Sequence, residues 1–185
     1  MKKCSSGKPI RRSIRLKDFD YSQAGAYFIT ICTQNKECLF GNVADGEMVL
    51  NDAGRMIEKW YRELPEKFNG IALDEYIIMP NHIHYIIENT DPVGADLCVC
   101  PRNADAGEHA GSPLQKIVQW FKTMTTNEYI REVKRNGWQP FNGKLWQRNY
   151  YEHVIRNDED LRHIREYITQ NPLKWELDEE NPLKS

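Results

Sequence analysis

The sequence predicts an α+β domain of the ferredoxin-like or RRM-like kind, a βαββαβ antiparallel sheet with helices and a further C-terminal helix. Three observations predict it. β-Favouring runs occur at residues 27–33, 72–79 and 82–88, and an aromatic-rich run at 145–155 supplies a fourth strand. Two segments carry apolar residues at helical spacing, at about 54–68 and from 112 or 113 onward. The order that results is strand, helix, strand, strand, helix, strand, which is the split βαβ pattern with helices expected on one face.

The elements follow in order. Residues 1–17 form a basic arm with no apolar period of its own. Gly25 leads into the central strand Y-F-I-T-I-C-T, and residues 41–46 mark a turn before a short strand at 47–50. Asn51 or Asp52 caps the first helix, in which Met56, Ile57, Trp60, Tyr61 and Leu64 share a face; Pro65 shortens or kinks it. Residues 91–113 are rich in Gly, Ala, Pro and Asp and read as a surface loop. Cys98, Cys100 and His109 in this loop lack the paired spacing of a zinc site. Leu114, Ile117, Val118, Phe121, Met124 and Tyr129 give the second helix its apolar stripe, with Lys116, Lys122 and Arg131 off it. Asp158 caps the last helix, where Leu161, Ile164 and Ile168 face inward, and Asn171-Pro172 ends it. The domain therefore spans about 18–175, and the acidic tail at 176–185 is expected to fray.

The stretch Y-I-I-M-P-N-H-I-H-Y-I-I-E at 76–88 carries the chemistry. Side chains alternate faces along a strand, so His82 and His84 point one way, and Ile83, Tyr85 and Ile87 point the other way into a core. Two imidazoles are thereby held side by side.

Composition narrows the class. A chain of 185 residues suits one domain with a sizeable core. It has no run of eighteen apolar residues and no apolar leader, so the expected location is cytoplasmic with no membrane contact. Five cysteines without a repeating spacing suit reduced thiols. The net charge of −2 conceals segregation: residues 1–17 carry seven Lys or Arg and no acid, and residues 114–148 carry seven against two acids. Local basic surfaces can exist despite the acidic average.

Tyr167 and Asn171 are four apart, so a helix stacks phenol and amide on one side. Two strand histidines and an amide oxygen make three ligands with open positions. That donor set suits Mn²⁺, and Mg²⁺ less naturally. A tyrosine beside such a metal is placed to attack a phosphodiester, although its phenol, with an ordinary pKa near 10, needs local help to lose its proton.

The M-P-N-H-I-H-Y motif resembles the HUH signature of single-tyrosine transposases. Together with L-W-Q-R-N-Y-Y-E-H-V-I-R-N-D at 145–158 and R-E-Y-I-T-Q-N-P at 165–172, it resembles the REP-associated tyrosine transposases, relatives of the insertion-sequence-200-like enzymes, over about residues 11–175. The resemblance implies His82 and His84 as metal ligands, Tyr167 as nucleophile and Asn171 as third ligand. It departs from insertion-sequence relatives in having asparagine where they usually carry glutamine. It further implies cleavage of single-stranded DNA near a palindromic hairpin, a 5′-phosphotyrosine intermediate and a divalent metal, Mg²⁺ or Mn²⁺. Arg11, Arg12, Arg15, Lys116, Lys122 and Arg148 are the residues expected on the DNA backbone, with Trp120, Trp146 or Tyr150 as stacking partners for unpaired bases. Tyr150 and Tyr151 are rival nucleophiles by residue type, and His153 and Glu152 fit either a supporting or a structural role.

Two other readings use the same residues. A non-catalytic hairpin-binding protein would share the sheet, and a zinc hydrolase would need a carboxylate or third histidine near the pair. Monomer and homodimer, with the tyrosine helix serving its own or a partner's site, are both compatible with the sequence.

Overall fold

The computed structural model describes residues 24–90, 112–182 and 184. Strand β1 (Gly25–Cys32) is followed by the hairpin β2 (Gly41–Ala44) and β3 (Glu47–Leu50), helices α1 (Asp52–Arg62) and α2 (Leu64–Lys67), and strands β4 (Ile71–Met79) and β5 (His82–Asn89). Helix α3 (Pro113–Asn136), strand β6 (Tyr151–Ile155) and helix α4 (Asp158–Gln170) complete the fold, and a 3₁₀ turn spans Pro172–Leu177. The main sheet has the order β4-β5-β1-β6, with every pair antiparallel. This is the α+β split βαβ arrangement, with β5 inserted between β1 and β4.

Alternation along the strands sorts the sheet into two faces. Tyr27, Ile29 and Ile31 of β1 and Ile83, Tyr85 and Ile87 of β5 pack with Ile57, Tyr61, Ile117 and Phe121 in the larger core. Phe28 and Ile86 turn to the opposite face, where Ile168 of α4 covers them and Leu161 and Ile164 pack alongside. Helices therefore occupy both faces: α1 and α3 on one, α4 on the other. The expectation that helices share one face holds for the first two alone.

The ends of the elements explain the differences from expectation. Asn51 caps α1, its side chain accepting from Gly54 N at 2.9 Å. Pro65 ends the apolar pattern of α1 as a separate turn, α2, because its ring lacks the hydrogen a continuing helix needs. Ser112 caps α3 with Pro113 in its first turn, and Gly137 ends it at φ 67°, a conformation glycine adopts without strain. For α4 the cap is Asn157, whose side chain accepts from Asp160 N at 2.9 Å; Asp158 is the first helical residue instead. The acids Asp158, Glu159 and Asp160 then complement the positive end of the helix.

The run 145–155 was expected to be one strand, and only Tyr151–Ile155 is. Residues 147–149 instead wrap the Lys122 ammonium, which donates to the carbonyls of Gln147 (3.0 Å), Arg148 (3.5 Å) and Asn149 (3.0 Å). A single bridge between Thr33 and Trp146 remains.

Gly54 tests the packing. A Cβ there would lie 2.3 Å from Phe40 O and 2.8 Å from the Leu50 side chain. Gly→Ala in a helix is ordinarily stabilising, by about 1 kcal/mol. Here the clash reverses the sign, and Gly54→Ala should destabilise the protein by about 1–3 kcal/mol in urea denaturation.

Candidate functional site

The β1–β5 register pairs Thr30 with His84 and Cys32 with His82, which places both imidazoles on the α4 face. Both are buried, His82 at 0% and His84 at 4% exposure. Their Nε2 atoms face each other at 3.0 Å. The outer nitrogens are held in different ways. His82 Nδ1 lies 2.8 Å from Asn81 Oδ1, and the amide orientation of Asn81 is fixed because its Nδ2 donates to Lys36 O (3.1 Å) and Glu180 O (2.6 Å). Asn81 Oδ1 can only accept, so His82 carries its hydrogen on Nδ1 and presents a lone pair at Nε2. His84 Nδ1 lies 2.8 Å from the Thr30 hydroxyl, which can donate or accept. In one tautomer His84 Nε2–H donates to His82; in the other Thr30 accepts from Nδ1–H and both Nε2 lone pairs converge.

Helix α4 brings the tyrosine. Its Oη lies 3.4 Å from His84 Nε2 and its ring 5.2 Å from the His84 ring, all within one chain. Asn171, the C-cap of α4, is buried, and its Oδ1 has no hydrogen-bond partner among the described residues. Asn171 lines the same cavity as His84 and Tyr167, and an orphaned buried carbonyl oxygen together with imidazole nitrogens is the kind of donor set that suits a divalent cation. Among the described residues no three His, Cys, Asp or Glu side chains gather as the donors that a zinc hydrolase would use.

The electrostatics favour uncharged imidazoles. Burial pushes both histidines down from their ordinary range, and for His84 the neighbouring His82 adds to it. Burial also pushes the Tyr167 phenol up, the Asp178 carboxylate adds to this, and a hydrogen bond from the Asn171 amide opposes it.

Side-chain contacts to β4 and β6 hold α4 in position. Arg165 grips Asp74 of β4 through two parallel hydrogen bonds, Nε to Oδ1 at 2.9 Å and Nη2 to Oδ2. His153 of β6 lies 2.9 Å from Asp160 at the start of the helix, which gives His153 a structural role. Glu152 points to the other side of β6.

The segment after α4 departs from expectation. Instead of fraying, it lies along the site. Lys36 donates to Glu179 O at 2.6 Å and pairs with the Glu180 carboxylate at 3.6 Å, and the Trp175 ring sits 6.0 Å from the His82 ring. Asp178, Glu179 and Glu180 thereby line a cavity of about 910 Å³ together with Phe28, Thr30, His84, Tyr151, Tyr167 and Asn171. A second cavity, about 810 Å³, lies between α3 and residues 141–150; Lys116, Lys122, Lys144 and Arg148 line it, and no acid among the described residues does. Gln147 and Tyr150 border both.

The structure thus brings together His82, His84, Tyr167 and Asn171, and separately Lys116, Lys122 and Arg148. Lys122 is not a free cation: its hydrogens go to three carbonyls, and burial pushes it down to about 8. Arg11, Arg12 and Arg15, and Cys98, Cys100 and His109, lie outside the described residues. The three aromatics expected to stack on bases are otherwise engaged. Trp120 packs edge-on against Trp60 and Phe68, Trp146 is buried between Phe40 and Phe121, and Tyr150 sits beneath the Lys122 ammonium. Sequence reasoning missed Thr30, Asn81 and Lys36 as supports of the histidines. A Pro-Asn turn and a lone lysine carry no local signal of such roles.

Comparison with known proteins places the chain. No family model matches it. An uncharacterised protein of Haemophilus influenzae is 39% identical over 182 residues, 96% of each chain. A second protein of that organism, provisionally described as a REP-associated tyrosine transposase, is 26% identical over 160 residues, 84% of this chain and 74% of its own. The solved structure of a REP-associated tyrosine transposase bound to a REP hairpin shares the fold at a TM-score of 0.54 and 17% identity, covering 86% of this chain and 73% of that one. The fold and these relatives define a transposase-like, DNA-processing protein. The chain belongs to one family with the uncharacterised Haemophilus influenzae protein and is similar to REP-associated tyrosine transposases.

The Asp74–Arg165 contact yields a pH dependence. Arg165 holds the Asp74 carboxyl below its ordinary value of 3.8. A carboxyl lowered in the folded state stabilises above its unfolded pKa, and that contribution fades as the pH falls below about 4. Hydrogen exchange in α4 should accelerate there relative to β5, and Asp74→Asn should produce the same loosening already at neutral pH.

Proposed function

We propose that this protein is a metal-dependent endonuclease and strand transferase for single-stranded DNA that carries a palindromic hairpin, working through a 5′-phosphotyrosine. The observation that carries this reading is the Tyr167 hydroxyl, 3.4 Å from His84 Nε2 at a cavity large enough for a nucleotide. That the related transposase was solved with a REP hairpin supports the choice of DNA.

In this reading the Tyr167 oxygen attacks the scissile phosphorus as its proton passes to solvent. The bond from tyrosine oxygen to phosphorus forms, the bond from phosphorus to the 3′ oxygen breaks, and that oxygen leaves with a proton. Strand joining is the reverse, with an incoming 3′ hydroxyl displacing the tyrosine, so no ATP is needed. His82, His84 and Asn171 Oδ1 would hold Mg²⁺ or Mn²⁺, which supplies Lewis-acid polarisation of the phosphate when bound. Asn81 fixes the tautomer of His82, and Thr30 accommodates either tautomer of His84. Asp178, Glu179 and Glu180 give the cavity a negative rim that attracts a cation and repels an unaccompanied phosphate. The acid-free groove beside α3 offers the strand its approach, with Lys116, Lys144 and Arg148 as backbone contacts. The tyrosine reaches the histidines of its own chain, so a monomer suffices for the chemistry.

The test is to incubate purified protein with labelled hairpin DNA and Mn²⁺ and look for a denaturation-resistant adduct. The adduct should form with wild type and vanish in Tyr167→Phe, with hairpin affinity kept within about tenfold because phosphate contacts dominate binding. Hairpin binding with no adduct would instead establish a non-catalytic binding protein. The metal has its own readout: Mn²⁺ should raise the melting temperature of the wild type by mass action, and His82→Ala should lose that shift together with cleavage.

A further inference from the structure

The aromatics expected to meet DNA are packed against other side chains, and Tyr151, a rival nucleophile by residue type, is the more open ring. Tyr151 is 51% exposed and opens onto the same cavity as Tyr167. Its position is set by the sheet. Tyr151 pairs with Thr30, and Thr30 pairs with His84, so the three share one cross-strand row on one face. At the usual spacing of strands this puts Tyr151 about 10 Å from His84, backbone to backbone. Phe28 supports it from within the sheet. The Phe28 ring lies 6.2 Å from the Tyr151 ring at 69° and 6.0 Å from the Tyr167 ring at 87°, so the two tyrosines are at most about 12 Å apart, centre to centre.

We propose that Tyr151 is a stacking platform for an unpaired nucleobase of the strand whose phosphodiester reaches Tyr167. This rests on the strand-transfer reading above. A ring packed on one neighbour and half exposed is supported yet keeps surface for a base to cover. Stacking is tolerant of sequence because every base has a π-face. Gln147, Asn149 and Lys174 line the same cavity and supply amide and ammonium groups for the edge of that base or the adjoining phosphate. The hydroxyl has no part in this role. No imidazole approaches the Tyr151 oxygen in hydrogen-bonding distance among the described residues, whereas His84 approaches Tyr167.

The test uses a panel of palindromic hairpins carrying 2-aminopurine at successive positions of their unpaired flanks, bound to protein in a Tyr167→Phe background so that no DNA is consumed. At one position, quenching should survive an added Tyr151→Phe and be lost with Tyr151→Ala, with affinity falling about 5- to 150-fold in the alanine variant alone. Should Tyr151→Ala fail to fold, Tyr151→Leu keeps apolar bulk without a flat ring and reads the same signal. The absence of any position whose quenching depends on Tyr151 overturns the proposal. So does loss of the covalent adduct in Tyr151→Phe alone, which would make Tyr151 a nucleophile. A wild type that forms no adduct while its quenching still depends on Tyr151 would sink strand transfer and leave the base subsite standing.

Discussion

The register of β1 against β5 is the constraint on which the site depends. Thr30 opposite His84 and Cys32 opposite His82 put imidazole, hydroxyl and thiol on one face, with Ile29, Ile31, Ile83 and Tyr85 on the other. A slip of one residue would drive two imidazoles into the apolar core and turn the isoleucines toward α4. The hydrophobic core therefore does more than hold the sheet together. Each apolar residue buried on the α1 and α3 side fixes the direction of a functional neighbour on the other side, and Tyr151 joins the same row through its pairing with Thr30.

Burial then decides the state of the histidines. Two buried imidazoles with facing nitrogens 3.0 Å apart disfavour a double charge, and the loss of solvation pushes both down. What remains is a neutral pair whose tautomers are chosen by its neighbours. Asn81 permits one tautomer at His82, because its own amide hydrogens are already committed to Lys36 O and Glu180 O. Thr30 permits two at His84. This asymmetry lets a proton leave the space between the rings without disturbing either outer hydrogen bond, and a cation entering that space requires such a change.

Much of this was legible in the sequence where a period of two or 3.6 recorded it. The isoleucines interleaved with His82 and His84 disclosed the two faces of β5, Pro65 disclosed the break between α1 and α2, and the spacing of Tyr167 and Asn171 disclosed a shared helix side. What was not legible came from long-range contacts that leave no period. Lys122 sits off the apolar stripe of α3, as a solvated lysine would, yet the loop folded over it takes all its hydrogens. The predicted strand at 145–155 is confined to its last five residues, and the residues before it wrap this ammonium. Acids in the tail read as a solvated end, since nothing local records that Asn81 and Lys36 hold the backbone of Glu179 and Glu180. Tyr150 and Tyr151 are alike in sequence, and the start of β6 separates them: Tyr150 lies before it against the Lys122 ammonium, and Tyr151 is its first residue, paired with Thr30.

The small net charge now has a spatial explanation. The cavity that holds Tyr167 is rimmed by Asp178, Glu179 and Glu180, and the groove beside α3 carries Lys116, Lys144 and Arg148 without an acid. Residues 147–150 stand between the two fields, and the buried Lys122 ammonium anchors that wall by its carbonyls. The two fields have opposite consequences: a polyanion is attracted by the groove and repelled by the rim, and a cation the reverse. Under the strand-transfer reading proposed above, the strand would be held along the groove, and a phosphate would approach Tyr167 together with a cation that offsets the carboxylates, so binding and cutting would draw on different residues.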